Sequence, residues 1–206
     1  MIPKIIHQIW LGDQSKRPQK FIQTWIDKNP SWQHKLWTDD NLPEIKCKKQ
    51  FDLCPSLAGK ADILRYQLLH DEGGFFIDAD AECINSLDDY LLENDCFCCW
   101  ENEECRKGLM SNGYLASVKD CRLMKLIMDR ISTYENMSYH PLETWTVTGP
   151  LLLTNTVYLN TYPITVYPSW YFIPKHYSGI EYAGSDKIYA KQYWGSTPNT
   201  GFEYGN

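Results

Sequence analysis

Apolar and polar positions alternate along the chain in a way that predicts strands and helices in turn. Lys4-Ile5-Ile6-His7-Gln8-Ile9-Trp10 is β-branched and apolar, and Gly12-Asp13 punctuates its end, so it predicts a first buried strand. Phe21, Ile22, Trp25 and Ile26 then recur at helical spacing, and Asn29-Pro30 stops that helix. Gln33-His34-Lys35-Leu36-Trp37 alternates as a second strand, and a loop-rich stretch follows through Pro43 and Pro55. A long helical pattern comes next, with an apolar stripe of Ala61, Leu64, Leu68 and Leu69 beside Ile63. It ends at Gly73-Gly74, where a glycine relieves the helix C-terminus. Phe75-Phe76-Ile77 is a short apolar strand that runs into Asp78-Ala79-Asp80.

Further along, Leu87 to Leu92 suggests a short helix, and Cys96 to Trp100 and Ser111 to Ser117 suggest strands. Arg122 to Ile131 predicts a helix with Leu123, Leu126, Ile127 and Ile131 on one side. Thr148-Gly149-Pro150 opens another through Leu153 and Val157, with proline in the first turn and a hydroxyl just before it. Ile164 to Tyr167 and Trp170 to Ile173 read as late strands. Strands alternating with helices, without a repeat or a linker, predict one compact α/β domain. Its sheet is expected to be mainly parallel and flanked by helices, over residues 1–197, with 198–206 a fraying tail.

Composition narrows the function classes. Of 206 residues, 43% are hydrophobic and 22% charged, which excludes a disordered, collagen-like or low-complexity chain. The formal charge of −6, with no basic block, argues against nucleic acid as a partner, because phosphate neutralisation supplies most of that affinity. The 8 Trp, 14 Tyr and 7 Phe suit flat ligands such as sugar rings and nucleobases, and they equally suit an ordinary core. No apolar run is long enough to span a bilayer, so no integral membrane segment is expected. The first residues lack the order of a signal peptide, which predicts a cytoplasmic protein whose 8 cysteines are reduced. Cys96, Cys98 and Cys99 lack paired C-x-x-C spacing and read as buried small residues of a strand.

The candidate chemistry centres on Asp78 and Asp80. Two carboxylates two residues apart at a strand exit can both reach one hard cation, Mn²⁺ or Mg²⁺, that bridges phosphate oxygens. Open α/β sheets place ligands at the carboxyl ends of their strands. An isolated D-x-D is also what a turn with two solvated carboxylates looks like, so its context matters. Asp62 and Arg65 lie three apart on one helix face, either as a surface ion pair or with Arg65 turned toward a diphosphate. Trp10 reads equally as core or as a platform for a nucleobase.

The segments Ile5-Ile6-His7-Gln8-Ile9-Trp10-Leu11-Gly12, Ala61-Asp62-Ile63-Leu64-Arg65-Tyr66, Gly73-Gly74-Phe75-Phe76-Ile77-Asp78-Ala79-Asp80 and Thr148-Gly149-Pro150 occur in that order. Together they resemble glycosyltransferase family 32, the sugar-binding region containing a DXD motif. Fungal mannosyltransferases, bacterial capsular polysaccharide transferases and the core of clostridial glucosylating toxins carry similar segments. The resemblance implies a GT-A fold, a UDP- or GDP-sugar donor, a divalent metal, a glycan or other glycoconjugate acceptor and retention of anomeric configuration. Polysaccharide biosynthesis is the process it suggests. It also implies that Trp10 stacks on the base and Asp62 bonds the donor sugar or ribose. Arg65 would contact the diphosphate or hexose, Asp78 would hold hydroxyls and assist the metal, and Asp80 would ligate it. Asn112-Gly113 would line the cleft.

One departure stands out. The C-terminal stretch Tyr189 to Thr197 has no histidine where many members have one, so Gln192 and Ser196 become the region for a third ligand. Two other readings share part of the pattern. A haloacid-dehalogenase-type phosphohydrolase also has Asp-x-Asp after an apolar strand, but the hydroxyl residue expected two places later is Glu82 here. A relative that binds nucleotide sugar or glycan without turnover would keep the same motifs. Glu82 and Glu101 are the nearest other acids and read as solvated side chains after a strand. His7 reads as a core imidazole bonded within its strand.

Overall fold

The computed structural model describes residues 1–195. The chain opens with β1 (Ile5–Ile9), α1 (Gln19–Lys28), β2 (Gln33–Trp37), α2 (Lys48–Leu53), α3 (Leu57–Glu72) and β3 (Gly74–Ile77). It continues through β4 (Ala81–Cys83), β5 (Cys96–Trp100), β6 (Met110–Ser117), α4 (Arg122–Ser132), α5 (Thr144–Val147), α6 (Pro150–Asn160), β7 (Thr165–Tyr167) and β8 (Ala190–Gln192). The main sheet has the order β2-β1-β3-β6-β5-β7. Pairings β1–β2, β1–β3 and β5–β7 are parallel, whereas β6 runs antiparallel to both its neighbours. The result is a mostly parallel α/β sheet with helices on both faces, as the alternating pattern predicts.

Strand alternation divides the core between those faces. Phe76, Cys96, Cys98 and Leu115 pack under α2, α3, α4 and α6, while Phe75, Ile77, Phe97, Cys99, Tyr114 and Ala116 face the other way. That second face holds Trp25 of α1 and an aromatic group in which Phe172 stacks on Tyr114 and Tyr189 at 5.0 and 5.5 Å. The cysteines of β5 are thus buried strand residues, and all 8 thiols are free.

Helix α3 is buried nearly all round from Asp62 to Leu69, so the apolar stripe understates it. Its polar members Asp62, Arg65 and Gln67 are inside the protein. Ser56 caps its start, accepting from the Gly59 N–H at 3.0 Å. Gly73 ends it at φ +70°, where a Cβ would press on the Lys119 backbone and Pro3. This turn sends the chain straight into β3, the strand that delivers Asp78.

Three expectations need correction. Trp170 to Ile173 is not a strand. Pro168 precedes a 3₁₀ turn at Ser169–Tyr171, and Ser169 is held through its N–H and Oγ by Glu103. The stretch through Pro43 and Pro55 is not all loop, because α2 inserts Phe51 and Gln50 into the interior. Thr148 does not cap α6. Gly149 occupies that position, and the Thr148 hydroxyl is used elsewhere. Beyond these, the short β4–β8 pair was not anticipated. It aligns Ala81 with Gln192 and so lays the C-terminal segment beside Asp80. The expected tail, residues 198–206, lies outside the described residues, as does Ser196.

Candidate active site

The carboxyl ends of β1, β3 and β5 and the start of β6 open on a cleft of about 820 Å³. Trp10, Asp62, Arg65, Asp78, Asp80, Asn112 and Gln192 all line it. The order in space follows from topology, since β6 runs backwards and brings Asn112 to the same edge as Asp78.

Arg65 organises the wall beneath the cleft. Its Nη2 lies 3.0 Å from Asp62 Oδ1 and 3.3 Å from Asp78 Oδ1. Its Nη1 donates to the Asn112 carbonyl at 2.6 Å, and the guanidinium lies 4.1 Å from the Phe76 ring centroid. The Arg65 Nε is buried without a partner among the described residues. Burial acts to lower the Arg65 pKa, but the flanking Asp62 and Asp78 carboxylates more than offset this and keep it cationic. The surface-ion-pair reading of Asp62 and Arg65 is therefore excluded, for both are about 5% exposed.

Asp62 is held from every side. Asn112 Nδ2 donates to its Oδ1 at 2.8 Å and the Thr148 hydroxyl to its Oδ2 at 2.9 Å. Tyr66 joins the network, receiving a bond from Asn112 Nδ2 at 3.1 Å and donating to the Thr148 carbonyl at 2.8 Å. Burial pushes the Asp62 carboxyl up, with Arg65 pulling the other way. The Asp62–Arg65 helix and the Thr148-Gly149-Pro150 turn, distant in sequence, are thereby one polar unit.

Asp78 is the more open of the two DXD carboxylates, with its side chain 32% exposed. It rests on Gly113, where a Cβ would overlap Asp78 Oδ2. Asp80 is buried and both its oxygens are met by the C-terminal segment. Gln192 Nε2 donates to Oδ1 at 2.8 Å and the Gly195 N–H to Oδ2 at 2.6 Å. Burial and the neighbouring Asp78 charge push the Asp80 carboxyl up to about 7. Gln192 is oriented by Tyr114, whose hydroxyl donates to its Oε1 at 2.8 Å. Asp78 and Asp80 supply hard oxygens of the type that Mn²⁺ or Mg²⁺ takes, and no cluster of three His, Cys, Asp or Glu forms among the described residues.

Trp10 follows β1 at the cleft and donates its indole N–H to the Asp13 carbonyl at 2.9 Å. His7 is a core imidazole, bonded through Nε2 to the Gly73 carbonyl at 2.9 Å and accepting at Nδ1 from Trp37 at 3.1 Å. Glu82 accepts from the Tyr193 hydroxyl at 2.8 Å. Glu101 departs from its reading as a solvated acid. It is 7% exposed, lines the cleft, and faces His176 and Arg106. Sequence reasoning missed Arg106, Trp145, His176, Tyr177 and Trp194, which also gather here from loops and from α5.

The fold is GT-A-like, the arrangement seen in solved glycosyltransferase domains. Residues 15–98 match the family described as "Glycosyltransferase sugar-binding region containing DXD motif". Two relatives come from Schizosaccharomyces pombe. "Inositol phosphoceramide mannosyltransferase 3" is 28% identical over 163 residues, 74% of this chain and 44% of its own length. "Inositol phosphoceramide mannosyltransferase 2" is 31% identical over 164 residues, 75% of this chain and 46% of its own length. The chain therefore spans about half the length of these relatives. Among solved structures, the "PaToxG Glycosyltransferase" shares the fold with a TM-score of 0.56 at 18% identity, over 77% of this chain and 70% of that one. No helix among the described residues is long and apolar enough to cross a membrane.

Proposed function

We propose that this domain is a metal-dependent, retaining glycosyltransferase that moves a hexose from a nucleoside-diphosphate sugar to a hydroxyl of a glycan or other glycoconjugate. The observation that carries the reading is the single wall made by Asp62, Arg65, Asp78 and Asp80 at the carboxyl end of β3. Two carboxylates share one guanidinium there, and the third, Asp80, is buried and next to the Asp78 charge. That imbalance favours a cation in the cleft. Asp78 and Asp80 would hold it, and Gln192 keeps Asp80 in place from the far side. A divalent ion bound there supplies charge neutralisation for the leaving diphosphate.

The chain's own residues do the rest. Arg65 stabilises negative charge at the wall, and its field reaches the diphosphate from a dry, preorganised position. Asn112 and Asp62 shape the sugar side of the pocket, and Trp10 offers an indole at the mouth for the base. In transfer, the bond from the anomeric carbon to the phosphate oxygen breaks and a bond to the acceptor oxygen forms on the same face. The acceptor proton passes to the leaving phosphate, so no side-chain nucleophile is required. The mannosyltransferase names of the relatives make GDP-mannose the first donor to test, with UDP-sugars beside it.

Calorimetric titration of GDP and UDP, with and without Mn²⁺, tests this. One of the two nucleotides should bind at least tenfold more tightly with the metal, and the matching sugar nucleotide should be consumed. Metal-independent binding, or no binding of either, would sink the proposal.

A further inference from the structure

The cleft extends past Asp80 to a second polar group that the donor wall does not use. Glu101 follows β5, a further strand whose carboxyl end meets the cleft. Its Oε1 faces His176 Nε2 at 3.2 Å and Arg106 Nε at 3.5 Å. The Ser178 N–H donates to His176 Nδ1 at 3.2 Å, so Nδ1 is an acceptor and the ring proton sits on Nε2, aimed at Glu101. Glu101 Oε2 takes no hydrogen bond from the described residues, nor is it among their sealed, unpartnered atoms. One oxygen of this carboxylate is thus backed by two donors, and the other is left to the cleft.

Aromatic side chains flank the Arg106 guanidinium beside it. Arg106 Nη2 donates to the Tyr177 hydroxyl at 2.7 Å, and its guanidinium lies 5.1 Å from the Trp145 ring centroid. Trp145 and Tyr177 are 39% and 40% exposed although they line the cleft. A cluster that served only the fold would bury those rings. A guanidinium between two accessible aromatic rings, with a carboxylate at its side, instead matches a ring that is apolar on its C–H face and hydroxylated at its edge.

We propose that Glu101, Arg106, Trp145 and Tyr177 form the acceptor subsite, which takes a polyhydroxylated ring by stacking and by a hydroxyl hydrogen bond to Glu101. The inference rests on the reading of the Asp78–Asp80 wall as the donor side. Glu101 accepts a hydrogen bond and takes no proton, and His176 is a positioning residue that fixes its orientation. A glycan end and a cyclitol headgroup both present this chemistry.

Saturation-transfer NMR on the full chain distinguishes them, with methyl α-D-mannopyranoside and myo-inositol as separate probes. It is run beside calorimetric titration of GDP and UDP with Mg²⁺. The ring protons of one probe should saturate with the wild type, and the probe that responds tells glycan end from headgroup. Glu101→Gln and Trp145→Ala should each weaken that signal at least fivefold while nucleotide affinity stays within twofold. Trp145 is half exposed, so its variant keeps the test meaningful if Glu101→Gln folds poorly. The proposal is overturned if neither ring saturates, if either folded variant saturates as the wild type does, or if signal and nucleotide affinity fall together. Nucleotide that fails to bind while a ring still does would fault the donor reading alone.

Discussion

Arg65 Nη2 lies 3.3 Å from Asp78 Oδ1, although one residue sits inside a helix and the other at the end of a strand. The same nitrogen is 3.0 Å from Asp62, so a single cation couples α3 to the DXD turn. Breaking a buried pair leaves an uncompensated charge, a cost of about 3–5 kcal/mol. Arg65→Ala should therefore lose about that much stability in urea unfolding. Arg65→Lys keeps the charge but loses the planar fork that reaches Asp62, Asp78 and the Asn112 carbonyl at once. It should fold with a lowered Tm and bind the nucleoside diphosphate at least tenfold more weakly.

Asp80 carries a separate expectation, because the C-terminal segment meets both its oxygens. Asp80→Asn preserves size and removes the charge, so Mn²⁺ should raise the Tm of the wild type and leave that of the variant unchanged. Asp80→Ala also removes the acceptor for Gln192 and Gly195. That variant should expose the segment after Gln192 to proteolysis faster than Asp80→Asn does. Equal Mn²⁺ stabilisation of wild type and Asp80→Asn would remove Asp80 from the metal site.

These groups were legible in the sequence to unequal degrees, for physical reasons. Ile5–Ile9 and Gly74–Ile77 declare themselves because buried strands are largely apolar runs, and Gln33–Trp37 because it alternates along the sheet edge. The DXD turn is visible because its two acids interrupt such a run. The Asp62–Arg65 pair has helical spacing, but spacing cannot tell a surface pair from one sealed under Thr148 and Asn112. The β4–β8 pair is only three residues long on each side, below the length at which alternation carries a signal. Arg106, Trp145 and His176 come together only when two loops and the short helix α5 fold onto one another, and nothing local marks them. Glu101 reads as solvated in the sequence because it follows a strand. The loop that carries His176 is what covers it.

Trp10 offers a test of the cleft's mouth. Stacking of a base on an aromatic side chain is worth about 1–3 kcal/mol. Trp10→Ala should weaken nucleotide binding by about fivefold to more than a hundredfold. Trp10→Phe should recover part of the loss. Wild-type affinity in the alanine variant, measured by calorimetry, would return Trp10 to a purely structural role.

His34 sets an acid limit on stability. Burial, helped by the nearby His7, lowers its pKa from 6.5 to about 4, and its Nε2 bonds Gln8 Oε1 at 2.8 Å. Between those values the unfolded chain binds the proton and the folded one does not, so stability falls as pH drops from 6.5 through 4. With allowance for solvent around a partly exposed ring, the effect is about 2 kcal/mol. Asp80, raised to about 7, acts with the opposite sign and is common to wild type and variant. His34→Gln keeps an N–H for Gln8 and should lose stability less steeply in urea melts between pH 6.5 and 4.5. Parallel pH profiles would show that His34 is not the titrating group.

Gly113 shows how closely the wall is fitted. It is the residue in β6 against which the Asp78 carboxylate lies, and a Cβ there would overlap Asp78 Oδ2. Its own φ is not in the left-handed region, so alanine costs nothing in backbone conformation. The Gly113 carbonyl also accepts from the Asp78 N–H at 3.0 Å, which leaves the Asp78 backbone little freedom to retreat. The side chain must therefore rotate, away from Arg65 Nη2 and out of its alignment with Asp80. Gly113→Ala should keep the Tm within a few degrees, yet lower metal-dependent nucleotide affinity at least tenfold. A variant that binds nucleotide and Mn²⁺ as the wild type does would mean that the position of Asp78 beside Arg65 is incidental to the site.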